Sequence, residues 1–222
     1  MAVDSIRHIN VFDPRLYPNP VHIIGAGATG SFLALQIAKL GVKELHVWDF
    51  DKVEEHNLAN QLYGPEHVGA YKVDALAEVV LEQADIPLLI HKEKVVNQVL
   101  GGVVFLLTDT MASRKEIWDN CIKYKPYVDL MIETRMGIKT YEVHSINPSD
   151  PAQVNGWEAR WFPDDEEVAA PSGCGARTTI GATASLLAAS AVWQFLKKAN
   201  DLPVENWVFG AVEPFMIESV SY

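Results

Sequence analysis

Two hydrophobic rhythms run along the chain. In its first two-thirds, short apolar runs alternate with stretches whose apolar residues recur every three to four positions. "VHIIG", from Val21, is an apolar run ending in glycine, and "TGSFLALQIAKLG" has helical spacing and stops at Gly41. "ELHVWD" predicts a second strand and "YKVDALAEVVLEQA" a second helix, with Pro87 separating the helix from a third strand, "LLIH". "GVVFLLTD" is a buried strand without alternation; "MASRKEIWDNCIKY" predicts a helix and "YVDLMIE" the next strand. Strands alternating with helices in this way predict a Rossmann-like α/β fold, doubly wound on a mainly parallel sheet. After Gly137 the rhythm changes. "KTYEVHSI" and "GWEARWF" alternate like half-exposed antiparallel strands, so the C-terminal third is expected to extend the sheet in antiparallel fashion. "NPSDPAQVNG" and "PDDEEVAAPSG" read as loops, and "WVFG" and "FMIESV" as short closing strands. No linker divides the chain, and residues 1–222 are expected to form a single domain.

Composition narrows the function classes. A formal net charge of −11 argues against general nucleic-acid binding, because phosphate backbones attract the opposite sign. The two cysteines, Cys121 and Cys174, are too few and too far apart for a cysteine-built zinc site. The longest apolar stretch, Thr178 to Lys198, is interrupted by Thr183, Ser185, Ser190 and Gln194, which favours a buried Ala-rich helix over a membrane span. The opening residues carry acids and no apolar core, unlike a secretory leader, so a cytoplasmic location is expected.

Candidate chemistry begins at Gly25, Gly27 and Gly30, a GxGxxG turn between a strand and a helix. The first glycine permits the turn, the second lets a phosphate approach the backbone, and the third brings helix and strand together. Asp49 ends the second strand, where a carboxylate can take ribose hydroxyls. These features suit NAD, FAD and ATP alike. The residues downstream of Asp49 are more selective: Asp51, Asn57, Gln61 and Lys72 arrive in order, and Asp109 ends the strand "VVFLLTD". Hydride transfer has no special need of them. A lysine and amides beside phosphates, with an acid to hold Mg²⁺, are what phosphate chemistry on ATP requires.

With these residues in view, "GAGATGSFLALQIAKLGVKELHVWDFDKVEEHNLANQLYGPEHVGAYK" resembles the core of the ThiF/MoeB/HesA family, relatives of ubiquitin-activating enzymes. "TDTMASRKEIWDNC" resembles the family's T-D-N-x-x-x-R segment, and "CGARTTIGATASLLAASAVWQFLK" its cysteine and small-residue helix. The resemblance implies ATP- and Mg²⁺-dependent adenylation of the C-terminal carboxylate of a small ubiquitin-like carrier of ThiS/MoaD type, or of a peptide, by a homodimer. It further implies that Gly27 approaches phosphate, Asp49 holds ribose, Asn57 and Lys72 contact phosphates, and Asp109 supports Mg²⁺. Gln61 matches the motif without a defined role.

Two positions depart from the pattern or leave roles open. The family's N-L-x-R-Q arginine is Asn60 here, which supplies hydrogen bonds but no charge. Arg135, just after "YVDLMIE", is a candidate replacement if it points into the crevice; pairing with Glu133 is the alternative, and Arg7 and Arg15 are further candidates. Cys174 aligns with a cysteine that in ThiF-like members can link covalently to the carrier, and is otherwise inert. Trp157, Trp161 and Trp193 are expected in a core or dimer interface. A catalytically weakened nucleotide-binding scaffold and an NAD-dependent oxidoreductase are the rival functions.

Overall fold

The computed structural model describes residues 5–164 and 179–221. Eight strands form one sheet in the order β3-β2-β1-β4-β5-β6-β7-β8. The parallel half comprises β1 (Val21–Ile24), β2 (Leu45–Trp48), β3 (Leu89–His91), β4 (Gly102–Leu106) and β5 (Val128–Met136). β6 (Thr140–Ile146), β7 (Trp207–Val212) and β8 (Phe215–Val220) are added as antiparallel neighbours. The expected mainly parallel sheet with an antiparallel extension is therefore the fold.

Helices α1 (Ala28–Leu40), α2 (Lys72–Ala84) and α5 (Gly181–Ala199) cover one face, sharing a core with Ile23, Val47 and Phe105. On α5, Ala184, Leu187, Ala188, Ala191 and Phe195 are buried at helical spacing, and its small residues let α1 come close. Among the described residues, no helix is long and apolar enough to cross a membrane. The opposite face carries α3 (Met111–Ile117), which runs into a π turn over Trp118–Ile122, and α4 (Pro151–Glu158). There Trp118 and Trp157 pack with ring centroids 4.7 Å apart, both fully buried.

Helix α4 corrects the expected loop-then-strand over "NPSDPAQVNG" and "GWEARWF". Asp150 accepts the Ala152 N–H (2.9 Å) and Pro151 occupies the first helical position, a strong start signal. Val154 and Trp157, three apart, share a helical side, and Trp161 beyond the helix packs against the same cluster. Trp157 meets the core expectation, whereas Trp193 is 57% exposed on α5. β6 is mostly buried rather than half-exposed, because it lies mid-sheet with helices on both sides. The segment "PDDEEVAAPSG" falls almost wholly outside the described residues, as does Cys174.

Candidate functional site

The sheet order reverses direction at β1 and β4: the chain leaves β1 for β2 and β3 on one side, then returns to β4 on the other. An open parallel sheet binds ligands at the carboxyl ends of strands flanking such a switch. At this edge β1 delivers Gly25–Gly30, β2 delivers Asp49–Asp51, and β4 delivers Leu107–Asp109.

The glycine turn is shaped by close approach. Gly25 has a φ of +106°, and a side chain there would meet the Leu107 carbonyl oxygen at 2.7 Å. A Cβ on Gly30 would lie 1.9 Å from the Gly25 oxygen. Gly27 is different, since a Cβ there would meet no atom of the described residues within 4 Å. The first and third glycines therefore serve backbone packing, and the second faces open space at the start of α1, where N–H groups favour anions.

Asp49 is locked beneath this turn. Its carboxylate accepts the Ala26 N–H at 2.7 Å and the Asp51 N–H at 2.8 Å. Burial raises its pKa, an effect that Lys72 and the two N–H bonds oppose. Each oxygen keeps a lone pair for a hydroxyl.

From Asp51 to Lys72 the chain forms a closed loop. Lys52 bridges Tyr71, the Val53 N–H donates to the Ala70 carbonyl (2.9 Å), and the Lys72 N–H donates to the Asp51 carbonyl (2.9 Å). That closure puts Lys72, the first residue of α2, against Asp51, with its ammonium 3.0 Å from the carboxylate. The loop interior is tied to the glycine turn: the Tyr63 hydroxyl donates to the Ala26 carbonyl (2.6 Å), and the Leu62 N–H to Ser31 Oγ (3.2 Å). Asn57 is buried; its Oδ1 accepts the Glu54 N–H (3.0 Å) and its carbonyl the Gln61 N–H (3.0 Å). Gly25, Gly27, Gly30, Asp49, Asp51, Asn57, Gln61 and Lys72 thus belong to one connected assembly.

Asp109 joins it from β4. It is exposed and lies in the turn past Leu106 rather than ending the strand, two residues beyond the carbonyl that abuts Gly25. Asn60 donates through Nδ2 to Thr179 Oγ1, just before α5. The Asn60 Oδ1 and Gln61 Oε1 atoms are buried with no partner among the described residues.

Arg135 lies within β5, not after it, and its guanidinium is engaged. Its Nε donates to both Glu133 oxygens (2.9 and 3.1 Å) and its Nη1 to the Arg160 carbonyl (2.8 Å), while Nη2 is buried without a partner among the described residues. Pairing with Glu133, the alternative the sequence offered for Arg135, is thus the one found. Fully buried on β5, Glu133 also contacts Arg114 Nη1, Trp157 Nε1 (3.2 Å) and, at 3.9 Å, His144. Burial alone would raise its pKa; Arg114, Arg135 and His144 instead hold it at about 2. An acid directly after the apolar run 130–132, with an arginine at the end of the "TDTMASR" segment, was the available signal.

Comparison with known proteins bears on the fold and the family. Ubiquitin-like modifier-activating enzyme 5 of Caenorhabditis elegans is 28% identical over 92 residues, 41% of this chain and 22% of that protein. The NEDD8-activating enzyme E1 catalytic subunit of Arabidopsis thaliana is 28% identical over 130 residues, 50% of this chain and 29% of its own. The chain thus spans about a quarter of the length of these curated relatives. Among solved structures, MccB of E. coli with AMPCPP and MccA superposes with a TM-score of 0.70 at 14% identity, covering 96% of this chain and 66% of MccB. PaaA superposes at 0.72 with 19% identity, covering 99% and 78%. Both share the fold. The ThiF family pattern matches residues 15–208, a span that takes in the glycine turn, the closed loop and α5. The chain belongs to the ThiF family.

Proposed function

We propose that this chain is an ATP-dependent adenylyltransferase that activates the C-terminal carboxylate of a small ubiquitin-like carrier protein or peptide. The observation that carries this reading is the closed loop, which holds Lys72 and Asp51 beside Asp49 while Gly27 faces open space. The arrangement fits a nucleotide. Asp49 accepts ribose hydroxyls, the α1 N–H groups meet phosphate, and Lys72, already adjacent to an acid, swings between Asp51 and phosphate oxygens. Among the described residues no group of three or more His, Cys, Asp or Glu converges on a point. That suits Mg²⁺, which is commonly held by one or two carboxylates plus substrate phosphates, and Asp109 is the residue that would hold it. When bound, Mg²⁺ would neutralise phosphate charge. The carrier carboxylate displaces pyrophosphate at the α-phosphorus, giving an acyl-adenylate. In that reaction the chain's own residues align the reactants and offset developing negative charge.

The nature of the relatives supports the substrate class: modifier-activating enzymes in sequence, and an MccB crystallised with MccA and with ATP. A homodimer belongs to the same proposal, with sedimentation as its check. Exchange of labelled pyrophosphate into ATP, with candidate carriers supplied, tests the activity; no exchange with any cognate carrier refutes it.

A second reading rests on Asn60. An amide tied to Thr179 stands where the family carries an arginine, which favours a scaffold that binds nucleotide without turning it over. ATP binding without exchange, altered only in affinity by Lys72→Ala, would select it.

A further inference from the structure

The turn between β4 and α3 is pinned at every residue around Asp109. The Thr108 carbonyl oxygen accepts from two donors of one guanidinium, Arg114 Nε (2.8 Å) and Nη2 (2.5 Å), and its Oγ1 accepts from Ser113 Oγ (2.8 Å). Thr110 Oγ1 accepts the Ser113 N–H (3.2 Å) and caps α3. Arg114 is itself buried, and its remaining arm, Nη1, meets Glu133, whose side chain is fully enclosed. Trp157 Nε1 and Arg135 Nε hold the same carboxylate from other directions. Asp109 is the exposed residue in the middle of this clamp.

Peptide geometry gives the clamp its consequence. The carbonyl of residue 108 and the N and Cα atoms of residue 109 lie in one plane. Two donors on that oxygen therefore fix the Asp109 backbone and narrow the positions open to its carboxylate. Resting on the adenylation reading, we propose that Arg114, anchored by Glu133, is a positioning residue: it sets where the Asp109 carboxylate stands at the nucleotide crevice. A planar fork is needed to serve Thr108 and Glu133 at once; a lysine keeps the charge facing Glu133 but not the paired bonds to Thr108.

The test uses Arg114→Lys and Arg114→Gln, each alone and with Asp109→Asn. In the nucleotide-free chain, amide hydrogen exchange over residues 107–113 is expected to rise about tenfold in both single variants while residues 102–106 stay protected. Asp109→Asn alone removes the residue that would hold Mg²⁺ and is expected to weaken ATP binding in Mg²⁺ by at least about tenfold, the lower end of the range for groups that only support a metal ligand. On the Arg114→Lys background the same change is expected to cost less than about threefold, because the carboxylate is already misplaced. Unchanged exchange over 107–113, or a full-sized Asp109→Asn effect on that background, overturns the assignment. If the wild-type chain binds no ATP, the adenylation reading fails separately, and the exchange measurement alone decides whether Arg114 holds the turn. Should Arg114→Gln not fold, Arg114→Lys, which keeps the charge opposite Glu133, carries both measurements.

Discussion

Substituting alanine at Gly27 and at Gly30 separates ligand space from protein space. At Gly30 the new Cβ falls 1.9 Å from the Gly25 oxygen, where real contacts are no shorter than 3.0 Å, so the backbone must open by more than 1 Å. Gly25 cannot yield, because its own free side already faces the Leu107 carbonyl. Overpacking of this kind costs about 2–3 kcal/mol, which lowers the Tm of a chain this size by roughly 4–12 °C. At Gly27 a Cβ meets no atom of the described residues, and its φ of −80° lies outside the left-handed region. The reduced freedom of the unfolded chain and the weaker cap nearly cancel, leaving Tm within about 2 °C. The same methyl occupies the space proposed for phosphate, and ATP affinity is expected to fall at least about tenfold, or 1.4 kcal/mol. Thermal unfolding and calorimetry read the two effects. The reasoning fails if Gly27→Ala binds ATP like the wild type, or melts as early as Gly30→Ala.

Other changes act through bonds already described. Lys72→Ala removes an ion pair with a half-exposed Asp51, so unfolding should shift by less than about 1 kcal/mol while pyrophosphate exchange slows about 10²–10³-fold. Tyr63→Phe strips the buried Ala26 carbonyl of its donor; urea titration should show a loss of about 1–3 kcal/mol, with weaker ATP binding as the glycine turn loosens. Acid should destabilise the fold in two windows. Burial, with His46 and His91 nearby, lowers the His22 pKa to about 4, so the unfolded chain binds the extra proton between about pH 6.5 and 4 and stability falls there. Glu133, also depressed, contributes fully above pH 4.5 and loses its contribution as pH drops towards 2. A His22→Phe variant should flatten the upper window and leave the lower one; equal pH slopes in both proteins would contradict this.

The parallel half of the fold was readable because buried strands and amphipathic helices differ plainly in period, and the loop motif because its acids, amides and lysine come in sequence order. Two features were not. "GWEARWF" looked like an alternating strand because Trp157, Ala159 and Trp161 sit two apart, yet Asp150 and Pro151 had already begun a helix upstream. The Glu133 cluster joins β5, α3, α4 and β6, so local pattern offered its pairing with Arg135 but not the partners from elements far apart in sequence. Arg135 was hard to place for the same reason: its partner is two residues away on one strand face, but what buries the pair arrives from α4 and the segment after it.

The bridge between Lys52 and Tyr71 has a consequence for how this family can vary. Because the loop is fastened at its neck, the spacing of Asp51 and Lys72 does not depend on the contour length between them. Residues near its far end, around Gly64 and Pro65, can be added or removed at the cost of a slightly longer closure, which grows only logarithmically. Acid and lysine then stay in register while the far end of the loop changes shape, so the surface there is able to diverge without disturbing the pair.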